Sequence, residues 1–446
     1  MKILFVENRY KTYFWESLAK IFDDKGHQIF WIVQNHSFAP FIKNVYTIPY
    51  PKKIYPLQRE EKTIFNFVSS TDRIIRYFNG TSRHYVYYNN EFEQILSNIT
   101  PDLVIGESTL FHELLIIDIC KRNNILYLNP SSTSYPVGRF SFFLHDTKEP
   151  YEGSNESLSN EECDILIQNI SQRKIIPDYM KKTEISHSQY PKVGSLKDRW
   201  TIISSYFKGE VYNTPSPFKK LKQDMTVNTI LKQWDTLSSN DNKKLPVNNI
   251  VLYPLQMQPE ANLDVWGNQF RDQAQLIKEL SENLPKDWYL AVKTNPKSKY
   301  EMSQDLLQVV KSINNIIPLH SNTNMKEIFE HSDVVVTVTG TIAIECILAN
   351  KPLGLLGPSI VKEFNGCTVM HRPREIKSII VSLKNNKIIS ASTDDKRNLI
   401  RRLATSSYQG LITDPVSNPA CLEEANLKLV TEAILDIRLQ RENNEN

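Results

Sequence analysis

No run of about 18 consecutive apolar residues occurs in this sequence, so a membrane-spanning helix is not expected. Clustered cysteines are missing too. The five present (Cys120, Cys163, Cys346, Cys367, Cys421) lie far apart, with no CxxC and no Cys/His cluster. That argues against a disulfide framework or a zinc site and points to reduced thiols; no metal site is expected. Cys120 and Cys346 fall within apolar helical patterns and read as small core residues. An excess of one charge is also lacking: 53 Lys+Arg face 50 Asp+Glu, a formal charge of +3. This is too weak to argue for a nucleic-acid partner. Basic residues are scattered apart from short runs such as Lys219-Lys220-Leu221-Lys222, which read as a solvated face, or as a contact with a membrane surface or acidic polymer. There is no GxGxxG, Walker sequence, GxSxG or HExxH, which removes sequence support for NAD binding, ATP hydrolysis, serine hydrolysis and zinc proteolysis. The opening residues, Met1 to Glu7, carry one positive charge and an apolar run too short for a signal peptide. A cytoplasmic location is the expectation.

What is present is an alternation of strands and helices. At 446 residues the chain exceeds a single core, and 40% apolar with 23% charged residues is ordinary for a globular protein. Residues 2–6 form a short apolar run. A helical pattern then places Phe14, Trp15, Leu18, Ala19, Ile21 and Phe22 on one face and stops at Gly26, which suits a left-handed cap. Ile29–Val33 reads as the next buried strand, completing a βαβ unit of a parallel sheet. The unit recurs over 101–128. Residues 150–245 are polar and read as helices and loops, ending in a linker near 238–246. A second series starts at Asn249, with strands at 250–254, 288–292, 316–319, 334–338 and 353–356. Helices are expected at 268–284, 302–314, 324–329 and 341–348, and a terminal helix at 421–440. The expected fold is therefore α/β: two Rossmann-like, doubly wound domains facing a cleft in the GT-B arrangement, with a C-terminal helix. Residues 1–245 make the first domain with its helical segment 150–245, residues 246–420 the second, and 421–446 the helix and tail. Fold alone does not make a transferase, since epimerases share it.

Loops at the carboxyl ends of strands carry the candidate chemistry. Val334–Val338 runs through Thr339-Gly340-Thr341 into an apolar helix. The turn amides and threonine hydroxyls would form an anion-binding nest, with Gly340 allowing close approach. Glu345, one turn further, would meet ribose hydroxyls or cap the turn; the alternative is a simple helix cap. Gln258 and Glu260 follow the first strand of the second domain and would orient sugar hydroxyls, or merely lie in a Pro-stiffened connection. Lys293 would neutralise a leaving phosphate or stand as a surface charge, while Lys297 reads as solvent-exposed. In the first domain Glu107 follows a buried strand and is the leading general base for an acceptor hydroxyl, with Glu7 (beside Asn8) competing. Either could instead cap a helix. Arg139, among aromatics, would bind an anionic acceptor or stack on Phe rings. The histidines show no metal spacing and read mostly as structural or exposed, with His371 kept as a hydrogen-bond donor to a phosphate.

Gln258-Pro259-Glu260, Lys293-Thr294-Asn295-Pro296, and Thr337–Glu345 followed by Asn350-Lys351-Pro352 together resemble the bacterial capsule-polysaccharide glycosyltransferases of the Kdo- and nonulosonate-transferring type. Gly106-Glu107-Ser108-Thr109 and Tyr135-Pro136-x-Gly138-Arg139-Phe140 look like the same group's N-terminal signatures. The resemblance covers roughly residues 100–145 and 250–365. It implies a CMP-activated acidic sugar as donor, inversion at the anomeric carbon, and a glycan or glycolipid acceptor at the cytoplasmic face of the inner membrane, where the protein would associate peripherally. It also implies no cofactor beyond the nucleotide-sugar substrate and no metal. One departure stands out: Asn295 replaces the family's His, which contacts the donor phosphate. Two other readings remain open. One is a UDP-sugar-dependent transferase or epimerase; the other is a non-catalytic capsule-assembly subunit.

Overall fold

A computed structural model describes residues 1–51, 62–180, 196–238, 245–295 and 297–445. Pro296 and the expected linker segment 239–244 lie outside the described residues. Two compact units emerge, and both are Rossmann-like α/β structures.

The first unit begins β1 (Lys2–Val6), α1 (Thr12–Asp24), β2 (Gln28–Val33), β3 (Val45–Thr47). Then come α2 (Thr63–Thr71), α3 (Arg73–Phe78), α4 (Tyr85–Ile99), β4 (Leu103–Ile105), α5 (Phe111–Arg122), β5 (Leu126–Ser132) and β6 (Arg139–Leu144). β1 is central, pairing in parallel with β2 (Ile3 opposite Ile29) and β4 (Leu4 opposite Val104). Both faces of such a strand are covered, which is why Ile3 to Val6 reads as an unbroken apolar run. Gly26 ends α1 with φ +82, in the left-handed region its position predicted. On one face of the sheet Phe5 stacks on Trp31 at 4.9 Å, with Phe14, Trp15 and Leu18 of α1 packed around them.

The chain continues through α6 (Asn160–Ser171), α7 (Leu196–Phe207) and α8 (Pro217–Ser238). The second unit follows with β7 (Ile250–Pro254), α9 (Gln273–Glu282), β8 (Tyr289–Lys293), α10 (Gln304–Ser312), β9 (Ile316–Leu319) and α11 (Met325–His331). After these come β10 (Val334–Thr337), α12 (Ile342–Leu348), β11 (Leu353–Leu355), β12 (Cys367–Val369), α13 (Ile376–Lys384) and α14 (Thr393–Thr405). Its six strands are all parallel, in the order β12-β11-β10-β7-β8-β9. The short β13 (Tyr408–Gln409) then returns to the first sheet, giving the order β13-β6-β5-β4-β1-β2-β3. The final helix, α15 (Glu424–Glu445), inserts Val430, Ala433, Ile434 and Ile437 into the core that holds Phe5 and Trp31.

Several expectations change in detail. The helix expected over 268–284 starts only at Gln273, because Asp272 caps it by accepting from the Gln275 amide at 3.0 Å; a π-type turn (Asn262–Trp266) and a 3-10 turn (Asn268–Phe270) precede it. Strands β3, β6, β12 and β13 go beyond those expected. β3, β12 and β13 are only two or three residues long, too short for an alternation signal. The units also do not divide the chain into consecutive blocks. The first comprises Met1–Ser157, Pro177–Lys220 and Arg402–Asn446, the second Leu158–Ile176 and Leu221–Arg401, where the sequence suggested 1–245, 246–420 and 421–446. The physical reason is visible in α8, whose Val227, Ile230 and Trp234 are buried in the second core.

Candidate active site

In a doubly wound sheet, ligands bind beyond the carboxyl ends of the strands where the strand order reverses. The second unit reverses between β7 and β10, and both strands end in sequence-predicted loops. The Thr339 hydroxyl donates to the Asn262 carbonyl at 2.9 Å, tying one loop to the other. With its side-chain oxygen turned toward the turn, Gln256 accepts from the Gly340 amide at 2.8 Å and the Thr339 amide at 3.2 Å. The amides of the predicted nest thus carry the side-chain carbonyl of Gln256. A Cβ on Gly340 would lie 2.6 Å from the Thr337 hydroxyl, so the close turn requires glycine there. Thr341 opens α12 as its half-buried N-cap. Glu345 is buried and ion-paired with Arg173, which reaches it from the segment after α6.

The β7 loop is held by inward bonds. Gln258 donates to Asp264 at 2.7 Å and accepts from Gln273 at 3.1 Å, and its own amide donates to Glu301. The Glu260 amide donates to Asp264 at 3.1 Å, and burial raises the pKa of the Glu260 carboxyl. Gln258 therefore orients the loop through protein partners. Lys293, at the end of β8, is buried rather than surface-exposed. Its ammonium donates to the carbonyls of Ser321 (2.8 Å) and Thr294 (3.3 Å), and burial lowers its pKa against the opposing pull of Asp235. The half-exposed Asn295 accepts from the Lys297 amide at 2.8 Å and thereby shapes the turn after β8; Lys297 itself is exposed. Since β10, β7 and β8 are neighbours, the three loops stand side by side on one edge of the sheet. His371 does not join them. It is exposed beside a groove of about 550 Å³ bordered by α9 and residues 371–374.

The first sheet reverses between β1 and β4, the strands that deliver Glu7 and Glu107. Glu107 keeps 24% of its side chain exposed and is ion-paired with Lys11. The Asn8 amide bridges two carboxylates, donating to Glu107 at 3.0 Å and to Glu113 at 2.5 Å. Glu113, on the first turn of α5, also accepts from the Thr109 and Leu110 amides. Burial, then the neighbouring Glu107 charge, push its pKa up to about 7. Glu7 is fully buried, accepting from the Arg9 amide at 2.6 Å and the Asn35 amide at 2.9 Å, so it fixes the loop after β1. Burial raises its pKa, opposed by His112. Behind it Asn213 donates to Nδ1 of His112 (3.0 Å) and to Gln34 (2.8 Å), and His112 Nε2 donates to the Glu7 carbonyl at 2.9 Å. That network assigns a neutral imidazole, in line with the lowered His112 pKa that its burial causes.

Arg139 corrects a sequence expectation. Only 7% exposed, its guanidinium donates to Glu156, Ser154, the Ser407 hydroxyl and the carbonyls of Ala404 and Ser407. It ties β6 to the end of α14 and has no face left for an acceptor. Sequence reasoning in turn missed Glu113, Gln256, Asp264 and the His112–Asn213 pair. Glu113 was within reach, since it stands six residues after Glu107 at the start of an apolar helix. Asn213 comes from a segment a hundred residues distant and gave no local signal.

Comparison with known proteins now bears on this geometry. Residues 201–391 match the family described as capsule polysaccharide biosynthesis protein, a stretch that includes α8 and all six strands of the second sheet. No curated protein matches the chain. Solved structures similar to it include a beta Kdo 2,7 transferase, KpsC of Thermosulfurimonas dismutans (10% identity, 96% of this chain and 100% of that one, TM-score 0.39). Others are MnaA of S. aureus with UDP (11%, 93% of each chain, TM-score 0.28) and UDP-GlcNAc 2-epimerase from Methanocaldococcus jannaschii (10%, 90% and 99%, TM-score 0.28). At these scores the structural likeness carries no functional argument.

Proposed function

We propose that the protein is an inverting glycosyltransferase of capsule or surface polysaccharide synthesis, using a CMP-activated acidic sugar and no metal ion. The observation that carries this reading is the coincidence of the capsule-synthesis match with three motif-bearing loops on the adjacent strands β10, β7 and β8. The donor phosphate would displace the Gln256 oxygen from the Thr339 and Gly340 amides, with the Thr341 hydroxyl beside it. Gln258 and Glu260 shape the loop that would face the sugar, Lys293 would support the leaving nucleotide, and Asn295 would donate a neutral hydrogen bond where the family uses His.

Glu107 would take the acceptor hydroxyl proton as that oxygen attacks the anomeric carbon. The new bond to the acceptor oxygen forms as the bond to phosphate oxygen breaks, and the nucleotide leaves as an anion. Lys11 and Asn8 hold the Glu107 carboxylate in place. Positioning and electrostatic support of the leaving group supply most of the rate. Glu7, buried and bonded to two backbone amides, fits a positioning part better than that of base. The acceptor would be a glycan or glycolipid reached by peripheral association with the inner membrane.

Incubating the protein with CMP-activated acidic sugars and capsule oligosaccharides, in the presence of EDTA, tests this directly. Transfer with inverted anomeric configuration is expected. Transfer or epimerisation confined to UDP-sugars would replace the donor assignment, and donor binding without any turnover would favour an assembly subunit.

A further inference from the structure

Near its end helix α8 presents two neighbouring residues that grip the loop after β9. The buried Trp234 indole donates to the Leu319 carbonyl at 2.9 Å. The Asp235 carboxylate accepts from the Ser321 amide at 2.9 Å and from the Ser321 hydroxyl at 2.8 Å. The carbonyl of that same Ser321 accepts from the Lys293 ammonium at 2.8 Å. Leu319 stands opposite Lys293 in the β8/β9 register, so this loop leaves its strand beside the lysine. A carboxylate on a helix is thus joined to an ammonium on a strand through one serine, and all three residues belong to the second unit.

This arrangement differs chemically from a direct ion pair. Only 5% of Lys293 is exposed, yet the groups its ammonium meets, the Ser321 and Thr294 carbonyls, are neutral. An ammonium has three N–H donors, and these contacts use two. A carboxylate in direct contact would take the third; one held a residue away offsets part of the cost of burial and leaves that N–H open. Burial lowers the Lys293 pKa, and Asp235 opposes the shift. The other neighbours contribute less charge. β7 places Pro254 opposite Lys293, and Lys297 in the turn beyond β8 is exposed. His320 stands with Nε2 3.9 Å from the Asp235 carboxylate, while its Nδ1 accepts from the Asn322 amide at 3.1 Å. Beside the lysine in sequence, the buried Thr294 hydroxyl has no hydrogen-bond partner among the described residues. Buried donors with capacity left over, one of them cationic, suit an anionic oxygen.

We propose that Asp235 is a positioning residue for Lys293: through Ser321 it orients the ammonium, and its charge balances that ammonium while leaving one N–H for a phosphate oxygen. This rests on the reading of Lys293 as the support of the leaving nucleotide. Asp235 itself touches no substrate in this account.

The test follows Lys293 directly in the full chain, by NMR titration of lysine labelled with carbon-13 at the ε position, its signal assigned by its loss in Lys293→Arg. Asp235→Asn keeps an acceptor for the Ser321 amide but removes the charge. It should move the Lys293 titration at least about half a pH unit lower. Calorimetric titration with CMP gives the second readout. An ammonium is lost as pH rises through its pKa, so CMP binding should begin its alkaline decline at lower pH in Asp235→Asn than in the wild type. Asp235→Glu should restore part of the difference. A merely structural anchor would weaken binding equally at every pH and leave the lysine titration in place, and that result would overturn the proposal. If Asp235→Asn fails to fold, Ser321→Ala, which removes only the hydroxyl bond, should shift Lys293 in the same direction by less; an unmoved signal there would overturn it too. Failure of CMP to bind the wild type at any pH would overturn the nucleotide reading, while the lysine titration would still decide whether Asp235 governs Lys293.

Discussion

At the β1/β4 reversal of the first unit, the carboxylates of Glu107 and Glu113 meet at the Asn8 amide, the Lys11 ammonium pairs with Glu107, and Glu7 is buried in the neighbouring loop against the Arg9 and Asn35 amides. At the β7/β10 reversal of the second, the corresponding place holds the Gln256 amide, the Thr339 hydroxyl and the turn amides at Gly340. Acids are present there as well, but Asp264 and Glu301 are turned inward and accept from the backbone of the β7 loop. The difference teaches that one topology can end in a partly exposed carboxylate or in a turn of amide and hydroxyl donors. The choice rests on which side chains are consumed in holding the loops and which remain exposed.

The largest expected effect comes from removing the exposed acid. Glu107→Gln should lower transfer by roughly 10²- to 10⁴-fold with little change in unfolding temperature, as measured by initial rates beside a thermal melt. If Glu7→Gln gave that kinetic loss and Glu107→Gln did not, the roles in the first unit would be reversed. Next, Arg139→Ala should cost about 2–4 kcal/mol in denaturant unfolding, because Glu156 and two carbonyls lose their buried donor. Nucleotide affinity should not follow it.

Glu113 gives a pH signature of opposite sign to an ordinary ion-paired carboxylate. Its folded pKa, up to about 7, lies above the unfolded value, so the folded state holds the proton more tightly. The stabilisation is complete at pH below the unfolded value and is lost as pH rises to about 7, on the order of 1–3 kcal/mol. Unfolding at pH 5 and pH 8 should show that decline in the wild type and a smaller one in Glu113→Gln, the remainder coming from Glu7 and Glu260, whose pKa values burial raises in the same direction. The smallest effect is expected from Asn295→His, a half-exposed site where stability should move by less than about 1 kcal/mol. In kinetics it should raise rather than lower turnover, since imidazole can support a departing phosphate.

How much of this was legible follows from distance along the chain. Central strands announced themselves because both faces are covered, as with Ile3 to Val6 and Val334 to Val336. The loops after them were locatable for the same reason, and so were Glu107, Gln258 and the Thr339–Thr341 turn. What a side chain does once there was less legible. Arg139 looked like an anion ligand, but it is buried and satisfied by carbonyls from a segment that no local pattern links to it, and the burial of Lys293 against the Ser321 carbonyl gave no local signal either. The alternation of the units along the chain was hidden too, because the burial of α8 depends on the second sheet and not on its own sequence.

The central claim is that the second unit holds a nucleotide at the β7/β10 reversal. Calorimetric titration of CMP, CDP, UDP and GDP into the wild type and Thr339→Ala tests it most directly. Preferential CMP binding, weakened in the folded variant, is the predicted result. Failure of all four nucleotides to bind, or binding that Thr339→Ala leaves untouched, would contradict it.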